Sequence, residues 1–257
     1  EAEADLPTYT GELYLQLHRG TLTQRHEVKR NNRKGEIALR SLEMAQVWAM
    51  LAGKAVRAAD IQPLWDTLLM NQFHDILPGT CITEVYERAI PEMRRMIEEA
   101  EEKTQALLQG GGAGFTLVNP LSWERNDTQY LDVPGYAQDR VSQRVDRLCG
   151  GEALAVAPVI PAMGAASIAL TDTPCDAPSP FAYDGRCLTT PYAEIIFDES
   201  GSMASFIDRA NGRQLVREAP LNRFYMGEDV PALWDCWDIN ADTLDMLVPQ
   251  ERLLERQ

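Results

Sequence analysis

A histidine and an aspartate, His74 and Asp75, stand side by side where a predicted helix ends. The preceding residues 61–73 carry apolar side chains at helical spacing, and the Pro78-Gly79 pair favours the end of a helix. An imidazole can ligate a metal, and a carboxylate can bind a cation or a hydroxyl group. Taken as a dipeptide, however, His-Asp specifies no chemistry, and a buried packing histidine beside a surface acid is the simpler interpretation.

The histidine content limits the metal chemistry of this chain. It has three histidines, His18, His26 and His74, and none of them is spaced as His-x-x-x-His. A catalytic zinc site usually takes three protein ligands and one open position. The chain therefore does not specify a complete metal site by itself.

A longer string around His74 is more specific. The segment Gln72–Thr80 (QFHDILPGT) resembles the motif of family 38 glycoside hydrolases, the retaining α-mannosidases, and it matches the bacterial and cytosolic branch best. Three further stretches resemble the same family in the same order along the chain, so the resemblance covers nearly all of it. They are Gly11–Thr21 (GELYLQLHRGT), Asn119–Arg125 (NPLSWER) and Trp234–Ile239 (WDCWDI).

The resemblance implies a zinc-dependent retaining α-mannosidase that removes terminal α-mannosyl residues from mannose-containing oligosaccharides. It implies that His74 is one ligand of the catalytic zinc and that Asp75 contacts the hydroxyl groups of the sugar. It also implies that the other zinc ligands, the nucleophile and the general acid/base belong to an N-terminal domain upstream of this chain. We therefore expect the chain alone to be inactive as a glycosidase.

No catalytic residue is assigned within the chain. A retaining glycosidase needs two carboxylates about 5–5.5 Å apart. Asp75, Glu228, Asp229, Asp235 and Asp238 qualify by type, but no pattern brings any two of them together. The alternative function is therefore a non-catalytic carbohydrate-binding or interaction module, built from a helical bundle and a β-sandwich.

Composition excludes some partners. The chain has 257 residues and a formal net charge of −15, which argues against nucleic acid or an anionic membrane as partner. Its five cysteines are scattered without a Cys-x-x-Cys pair, which favours free thiols in a reducing, cytoplasmic location. The chain begins at Glu1 rather than Met and has no signal peptide, so we expect a fragment. Assembly into a homo-oligomer is left open.

Three helices are predicted between residues 24 and 109. The first runs from about Gln24 to Leu51, and its basic side chains are interpreted as a solvated face rather than an anion site. The second has Asp60 as its N-cap and continues to His74. The third begins near Thr80 or Cys81. The basic side chains of the first helix are Lys29, Arg30, Arg33, Lys34 and Arg40.

The third helix contains Pro91, which should kink or split it, because proline removes one hydrogen bond and clashes with the preceding turn. The glycine-rich stretch Gly110–Gly114 is interpreted as a linker, since it lacks the flanking strand and the Gly-Lys-Ser/Thr ending of a phosphate-binding loop.

Strand-like alternation dominates after the linker. An additional short strand, Glu12–Leu17, is predicted near the start of the chain. The predicted strands after the linker are Phe115–Val118, Thr128–Val133, Ala153–Val159, Ala166–Leu170, Ala193–Phe197 and Met203–Asp208.

The predicted fold class is α+β multidomain: an antiparallel three-helix bundle followed by all-β, sandwich-like segments, the second of them truncated. Four parts are expected. Residues 1–22 end an N-terminal catalytic α/β domain, 23–110 form the bundle, 111–175 form a small β domain, and 176–257 begin a large β-sandwich.

The stretch Trp234–Asp238 has two interpretations. At strand spacing both indoles would share one face and could stack on a sugar, with the carboxylates binding its hydroxyls. Alternatively, the two tryptophans anchor the β-domain against the helices. The second interpretation is favoured, because large aromatic side chains dominate cores and interfaces.

Overall fold

The computed structural model describes residues 7–10, 18–57, 60–109, 114–139, 142–147, 150–174 and 179–250. The chain divides into two compact units. One combines Glu1–Gln109 with Gly227–Met246, and the other combines Gly110–Met226 with Leu247–Gln257. The predicted strand Glu12–Leu17 and all of the predicted linker except Gly114 lie outside the described residues. The predicted boundaries at residues 22, 110 and 175 remain predictions.

Three α-helices form the first unit: α1 (His26–Leu51), α2 (Gln62–Asn71) and α3 (Thr83–Leu108). Short 3-10 helices cover Gly20–Leu22 and Ala241–Met246. The buried stripes of the three helices share one apolar core, and removing these side chains from water stabilises the bundle. The largest fully buried apolar side chains of this core are Val28, Leu39, Leu42, Leu68 and Met93.

The helices meet closely at Gly35 in the middle of α1. A Cβ atom at this position would lie 2.8 Å from the Cε of Met96 and 3.0 Å from the Cδ1 of Leu68. These two side chains come from α3 and α2, so all three helices meet here. Glycine leaves the space that this close approach requires.

Helix boundaries differ from the predictions at two places. Ile61, not Asp60, is the N-cap of α2, and no side chain caps the helix. Asp60 stands one residue too early for that role, and its main-chain oxygen instead accepts a hydrogen bond from Lys103. The prediction that α2 continues to His74 is also wrong, because the helix ends at Asn71.

α3 begins at Thr83, later than predicted, and Pro91 lies inside a single helix of 26 residues. Of the two predicted effects of Pro91, a split of the helix is therefore wrong, and a kink stays a prediction. The proline side chain is exposed, while Ala89 and Met93 on either side of it are fully buried in the core. This packing holds both halves of the helix in place despite the one hydrogen bond that proline cannot donate.

Among the described residues, seven strands form the first half of the β unit, and their pairings are antiparallel. They are arranged as the sheets β1–β6, β2–β5–β4 and β3–β7. Side chains from these sheets share a second apolar core around Leu154 and Val156. The strands are β1 (Phe115–Val118), β2 (Gln129–Leu131), β3 (Tyr136–Ala137), β4 (Gln143–Asp146), β5 (Glu152–Val156), β6 (Ala165–Ile168) and β7 (Leu170–Thr171).

The second half of the β unit contains a five-stranded antiparallel sheet in the order β12–β11–β10–β9–β8. A separate two-stranded sheet pairs β13 with β14. Turns at Gly201 and Gly212, both with positive φ, connect neighbouring strands. These strands are β8 (Ala182–Tyr183), β9 (Cys187–Thr189), β10 (Ala193–Phe197), β11 (Met203–Asp208), β12 (Arg213–Gln214), β13 (Tyr225–Met226) and β14 (Val248–Pro249).

The predicted fold class is confirmed: a three-helix bundle is followed by antiparallel sheets. The predicted bounds of β1, β10 and β11 are those observed. The predicted strands Thr128–Val133 and Ala153–Val159 are longer than β2 and β5, and Ala166–Leu170 corresponds to two short strands, β6 and β7. Within the described residues, no helix combines the length and apolar character needed to cross a bilayer.

Asn119 has a structural role in the β unit. It is fully buried, and its Nδ2 donates hydrogen bonds to the main-chain oxygens of Trp123, Pro161 and Ile160 at 2.7, 3.0 and 3.3 Å. Its Oδ1 accepts a hydrogen bond from the Leu121 N–H at 3.0 Å. One amide side chain therefore satisfies main-chain groups of two segments that are far apart in sequence.

We expect Asn119→Ala to lower the free energy of unfolding of the β unit by roughly 2–4 kcal/mol, because it leaves buried main-chain groups without partners. The exposed Asn126 provides the matched control, and Asn126→Ala should change stability little. Urea unfolding of the chain measures both variants. Equal stabilities of the two variants would contradict this role of Asn119.

Candidate functional site

The segment that follows α2 leaves helical geometry at once. The Gln72 N–H donates to the main-chain oxygens of both Leu68 and Leu69, and the Phe73 N–H donates to that of Met70. Bonds that span three residues tighten the last turn of a helix. His74 and Asp75 therefore lie in the turn after the helix rather than on its last turn.

Four polar residues stand at the end of α2 and in the turn: Asn71, Gln72, His74 and Asp75. The first two hold the turn to the bundle. Asn71 is fully buried and donates through Nδ2 to the Thr67 main-chain oxygen at 2.8 Å. Gln72 donates through Nε2 to the Oδ1 of Asn32 in α1 at 2.9 Å. Asn32 in turn donates to Glu36 at 3.1 Å. Both amides are thus engaged in structural contacts.

The other two residues are His74, whose side chain is exposed, and Asp75, whose side chain is only partly exposed. The side chain of His74 is 75% exposed, and its Nε2 lies 3.6 Å from the Oδ2 of Asp75. The ring of Phe73, itself half-exposed, lies 4.2 Å from the imidazole, centroid to centroid. The interpretation of His74 as a buried packing histidine is therefore wrong, and its expected exposure is confirmed.

Asp75 is fixed on one side. Its Oδ1 accepts a hydrogen bond from the Thr80 hydroxyl at 2.8 Å, while its Oδ2 faces His74. Its main-chain oxygen accepts from the N–H groups of Thr80 and Cys81, both at 3.1 Å, and from the hydroxyl of Tyr86 at 3.0 Å. The carboxylate is therefore oriented and keeps acceptor capacity for a further donor.

Tyr86 supports this turn from α3. Its side chain is buried, and its hydroxyl accepts a hydrogen bond from the Cys81 N–H at 2.9 Å. Burial raises the pKa of the Tyr86 hydroxyl, and the hydrogen bond from the Cys81 N–H opposes part of that rise. The hydroxyl therefore remains protonated near neutral pH and can donate to the Asp75 main-chain oxygen.

Sequence reasoning missed Thr80, Tyr86 and Lys29 as parts of the site. Thr80 is the last residue of the recognised motif, and this position is its only local signal. Lys29 was assigned to a solvated face, but it is half-buried and bonds to the main chain of the turn. The solvated-face interpretation does fit Arg30, Arg33, Lys34 and Arg40, which are exposed.

The His74–Asp75 pair supplies part of a metal-binding set. An imidazole nitrogen and a carboxylate oxygen are donors that zinc accepts, so their types fit this metal. Over the described ranges, no group of three His, Cys, Asp or Glu residues comes together as a metal site. A metal held here would need ligands beyond those that the described residues bring together.

Residues 234–238 form a turn, so the prediction of strand spacing there is wrong. Trp234 has a positive φ of 61° and is 65% exposed. Trp237 is half-buried, and its ring meets the His18 ring edge-on at 5.3 Å between centroids. Its main-chain oxygen accepts a hydrogen bond from the Gly20 N–H at 3.0 Å. The two indoles therefore differ in environment.

The pKa of the Cys81 thiol depends on the charge of Asp75. Burial raises the pKa of the Cys81 thiol, and the nearby Asp75 carboxylate raises it further. We expect Asp75→Asn to accelerate alkylation of Cys81 by iodoacetamide roughly two- to fivefold at neutral pH, because removing the charge increases the thiolate fraction.

Peptide-resolved mass spectrometry measures this rate, with Cys187 in the other unit as an internal reference. The exposed Asp66 on α2 is the control, and Asp66→Asn should leave the Cys81 rate unchanged. A Cys81 rate that does not respond to Asp75→Asn would contradict the described geometry.

Comparisons with known proteins agree with this architecture. Residues 16–110 match the family described as the alpha mannosidase middle domain. The chain is 32% identical over 250 residues to alpha-mannosidase 2C1 of Homo sapiens, a match that covers 91% of this chain and 23% of that protein. The chain spans between 20% and 26% of the length of the relatives it matches.

Two crystal structures from Enterococcus faecalis share the fold. An alpha-mannosidase from strain V583 has a TM-score of 0.61 at 16% identity, over 98% of this chain and 35% of that one. A protein in glycosyl hydrolase family 38 has a TM-score of 0.54 at 16% identity, over 81% of this chain and 32% of that one. The family match and the sequence relatives, not the structural likeness, assign the chain to the α-mannosidases of glycoside hydrolase family 38, with residues 16–110 corresponding to their middle domain.

Proposed function

We propose that the whole protein is a zinc-dependent retaining α-mannosidase that hydrolyses terminal α-mannosyl residues of mannose-containing oligosaccharides. In this proposal the present chain contributes one zinc ligand, His74, and one substrate-binding carboxylate, Asp75. The observation that carries the proposal is the pairing of an exposed His74 with a partly exposed Asp75 on a turn tied to the bundle. The relatives named α-mannosidase support the same activity.

His74 suits the role of a ligand. Its side chain is 75% exposed, so a metal can approach either ring nitrogen without disturbing the apolar core. Zinc, when bound, would supply a Lewis acid that polarises or orients substrate oxygens.

Asp75 suits the role of a sugar contact. An ionised carboxylate only accepts hydrogen bonds, and a sugar hydroxyl is a donor that it can bind. The Thr80 hydroxyl already donates a hydrogen bond to Oδ1 and fixes the orientation of the carboxylate. The orientation is therefore set before substrate arrives, which reduces the entropy that binding must overcome.

The reducing cytoplasmic location forms part of the proposal. The described cysteines Cys81, Cys187 and Cys236 are free thiols. Unpaired, scattered cysteines are the pattern of proteins in reducing compartments.

The proposal is tested in the full-length protein with two substitutions. His74→Ala should lower the bound zinc and reduce turnover of an aryl α-mannoside at least about 100-fold, because a ligand is lost. Asp75→Asn should retain zinc and lower kcat/KM, because only a hydrogen bond to substrate changes. Elemental analysis and steady-state kinetics provide the two measurements.

Exposed His26, the first residue of α1, is the matched control, and His26→Ala should leave both zinc content and turnover unchanged. The present chain alone should show no hydrolysis with or without zinc. Equal zinc loss in His74→Ala and Asp75→Asn would show that the two roles are divided wrongly, and full zinc retention in His74→Ala would refute the ligand assignment.

A further inference from the structure

The ammonium group of Lys29 lies among main-chain carbonyls. It donates hydrogen bonds to the oxygens of Leu77 and Pro78, both at 3.0 Å, and also to the oxygen of Gln24. A lysine ammonium has three N–H donors, and here each has a carbonyl acceptor. Hydrogen bonds from a charged donor are the stronger kind in proteins. Lys29 therefore acts as a bridge between two chain segments.

The segments it joins are the start of α1 and the turn that carries His74. Leu77 and Pro78 follow His74 by three and four residues, whereas Gln24 directly precedes the N-cap of α1. Lys29 is half-buried, and burial lowers the pKa of its ammonium from the ordinary value. A lysine on a solvated face would have neither these acceptors nor this environment.

The turn lies directly against Gln24. Gly79 is buried and has a positive φ of 96°, and a Cβ atom there would lie 2.8 Å from the Cβ of Gln24 and 2.9 Å from its main-chain oxygen. Only glycine combines this backbone conformation with this close approach. The contact brings the Leu77 and Pro78 carbonyls within reach of Lys29.

The other side of the turn is tied to the same stretch of α1. Arg25 places its guanidinium 4.8 Å from the centre of the Tyr86 ring, and the Tyr86 hydroxyl donates to the main-chain oxygen of Asp75. Lys29 holds the turn after His74, and Arg25 supports the tyrosine that holds Asp75. Residues 24–29 thus contact the turn through Lys29 and support it through the contact of Arg25 with Tyr86.

We propose that Lys29 is a positioning residue, whose ammonium binds the Leu77 and Pro78 carbonyls and thereby sets the direction in which His74 and Asp75 are presented. The effect of Lys29 on metal and sugar binding rests on the proposed function. The effect of Lys29 on the structure of the turn is independent of that function, so the two effects can be tested separately.

The first test measures amide hydrogen exchange in the chain. The Thr80 and Cys81 N–H groups donate to the Asp75 main-chain oxygen, so their exchange reports on the position of the turn. Lys29→Met keeps the length and apolar character of the stem and removes all three donors. It should accelerate exchange of these two amides at least about tenfold while the middle of α3, Met93–Ile97, stays protected.

The matched control is Lys103, whose ammonium also donates to a distant main-chain oxygen, that of Asp60 at 3.2 Å, and pairs with Glu99. Lys103→Met should leave exchange of Thr80 and Cys81 unchanged. If Lys29→Met does not fold, Lys29→Gln, which is shorter and uncharged, should still accelerate both amides at least about threefold. Unchanged exchange at these amides, or equal acceleration throughout the helices, would overturn the inference.

The second test measures zinc affinity of the full-length protein by chelator competition. Lys29→Met should weaken zinc binding about 10- to 100-fold, the usual effect of losing a group that orients a ligand, and Lys103→Met should not. Accelerated exchange without any loss of zinc affinity would overturn the positioning role if His74→Ala does release zinc. If His74→Ala retains zinc, the proposed function fails, and the exchange result alone decides whether Lys29 holds the turn.

Discussion

The candidate site depends on how the main-chain oxygen of Asp75 is bonded. α2 stops at Asn71, and the turn that follows must find partners for its own polar groups. The main-chain oxygen of Asp75 accepts hydrogen bonds from the N–H groups of Thr80 and Cys81 and from the Tyr86 hydroxyl. These bonds close the turn on itself and tie it to α3. The backbone of Asp75 is thereby fixed.

This constraint separates the polar residues at the end of α2 and in the motif into two groups. The amides of Asn71 and Gln72 bond inward to α2, α3 and α1. The imidazole of His74 is exposed and the carboxylate of Asp75 is partly exposed, with His74 Nε2 3.6 Å from Asp75 Oδ2. A site with precise geometry needs such support, because side chains on an unsupported loop sample many orientations. The family motif therefore encodes both the supporting residues and the presenting ones.

Sequence patterns predicted helices and strands well where the spacing of apolar residues was the dominant signal. Strands β1, β10 and β11 have the predicted bounds, and α1 ends at Leu51 as expected. The end of α2 was placed too late, because the residues after Asn71 include no strong helix breaker before Pro78. Pro91 does not split α3, because the packing of Ala89 and Met93 on either side of it outweighs one missing hydrogen bond.

The supporting contacts of the site could not be predicted from local patterns. Lys29 and Leu77 are 48 residues apart, and nothing in the spacing of α1 distinguishes Lys29 from its exposed basic neighbours. Tyr86 likewise resembles an ordinary core residue of α3, although its hydroxyl reaches back 11 positions to Asp75. Such contacts arise only when the three helices pack, so their role becomes visible only in the folded chain.

The most direct test of the central claim is a crystal structure of the full-length protein with anomalous diffraction recorded at the zinc absorption edge. The account predicts an anomalous peak about 2.0–2.1 Å from a ring nitrogen of His74, the usual zinc–histidine distance. It also predicts that the Asp75 carboxylate still accepts the hydrogen bond from Thr80. A zinc peak at another place, with both ring nitrogens of His74 more than about 4 Å away, would contradict the account.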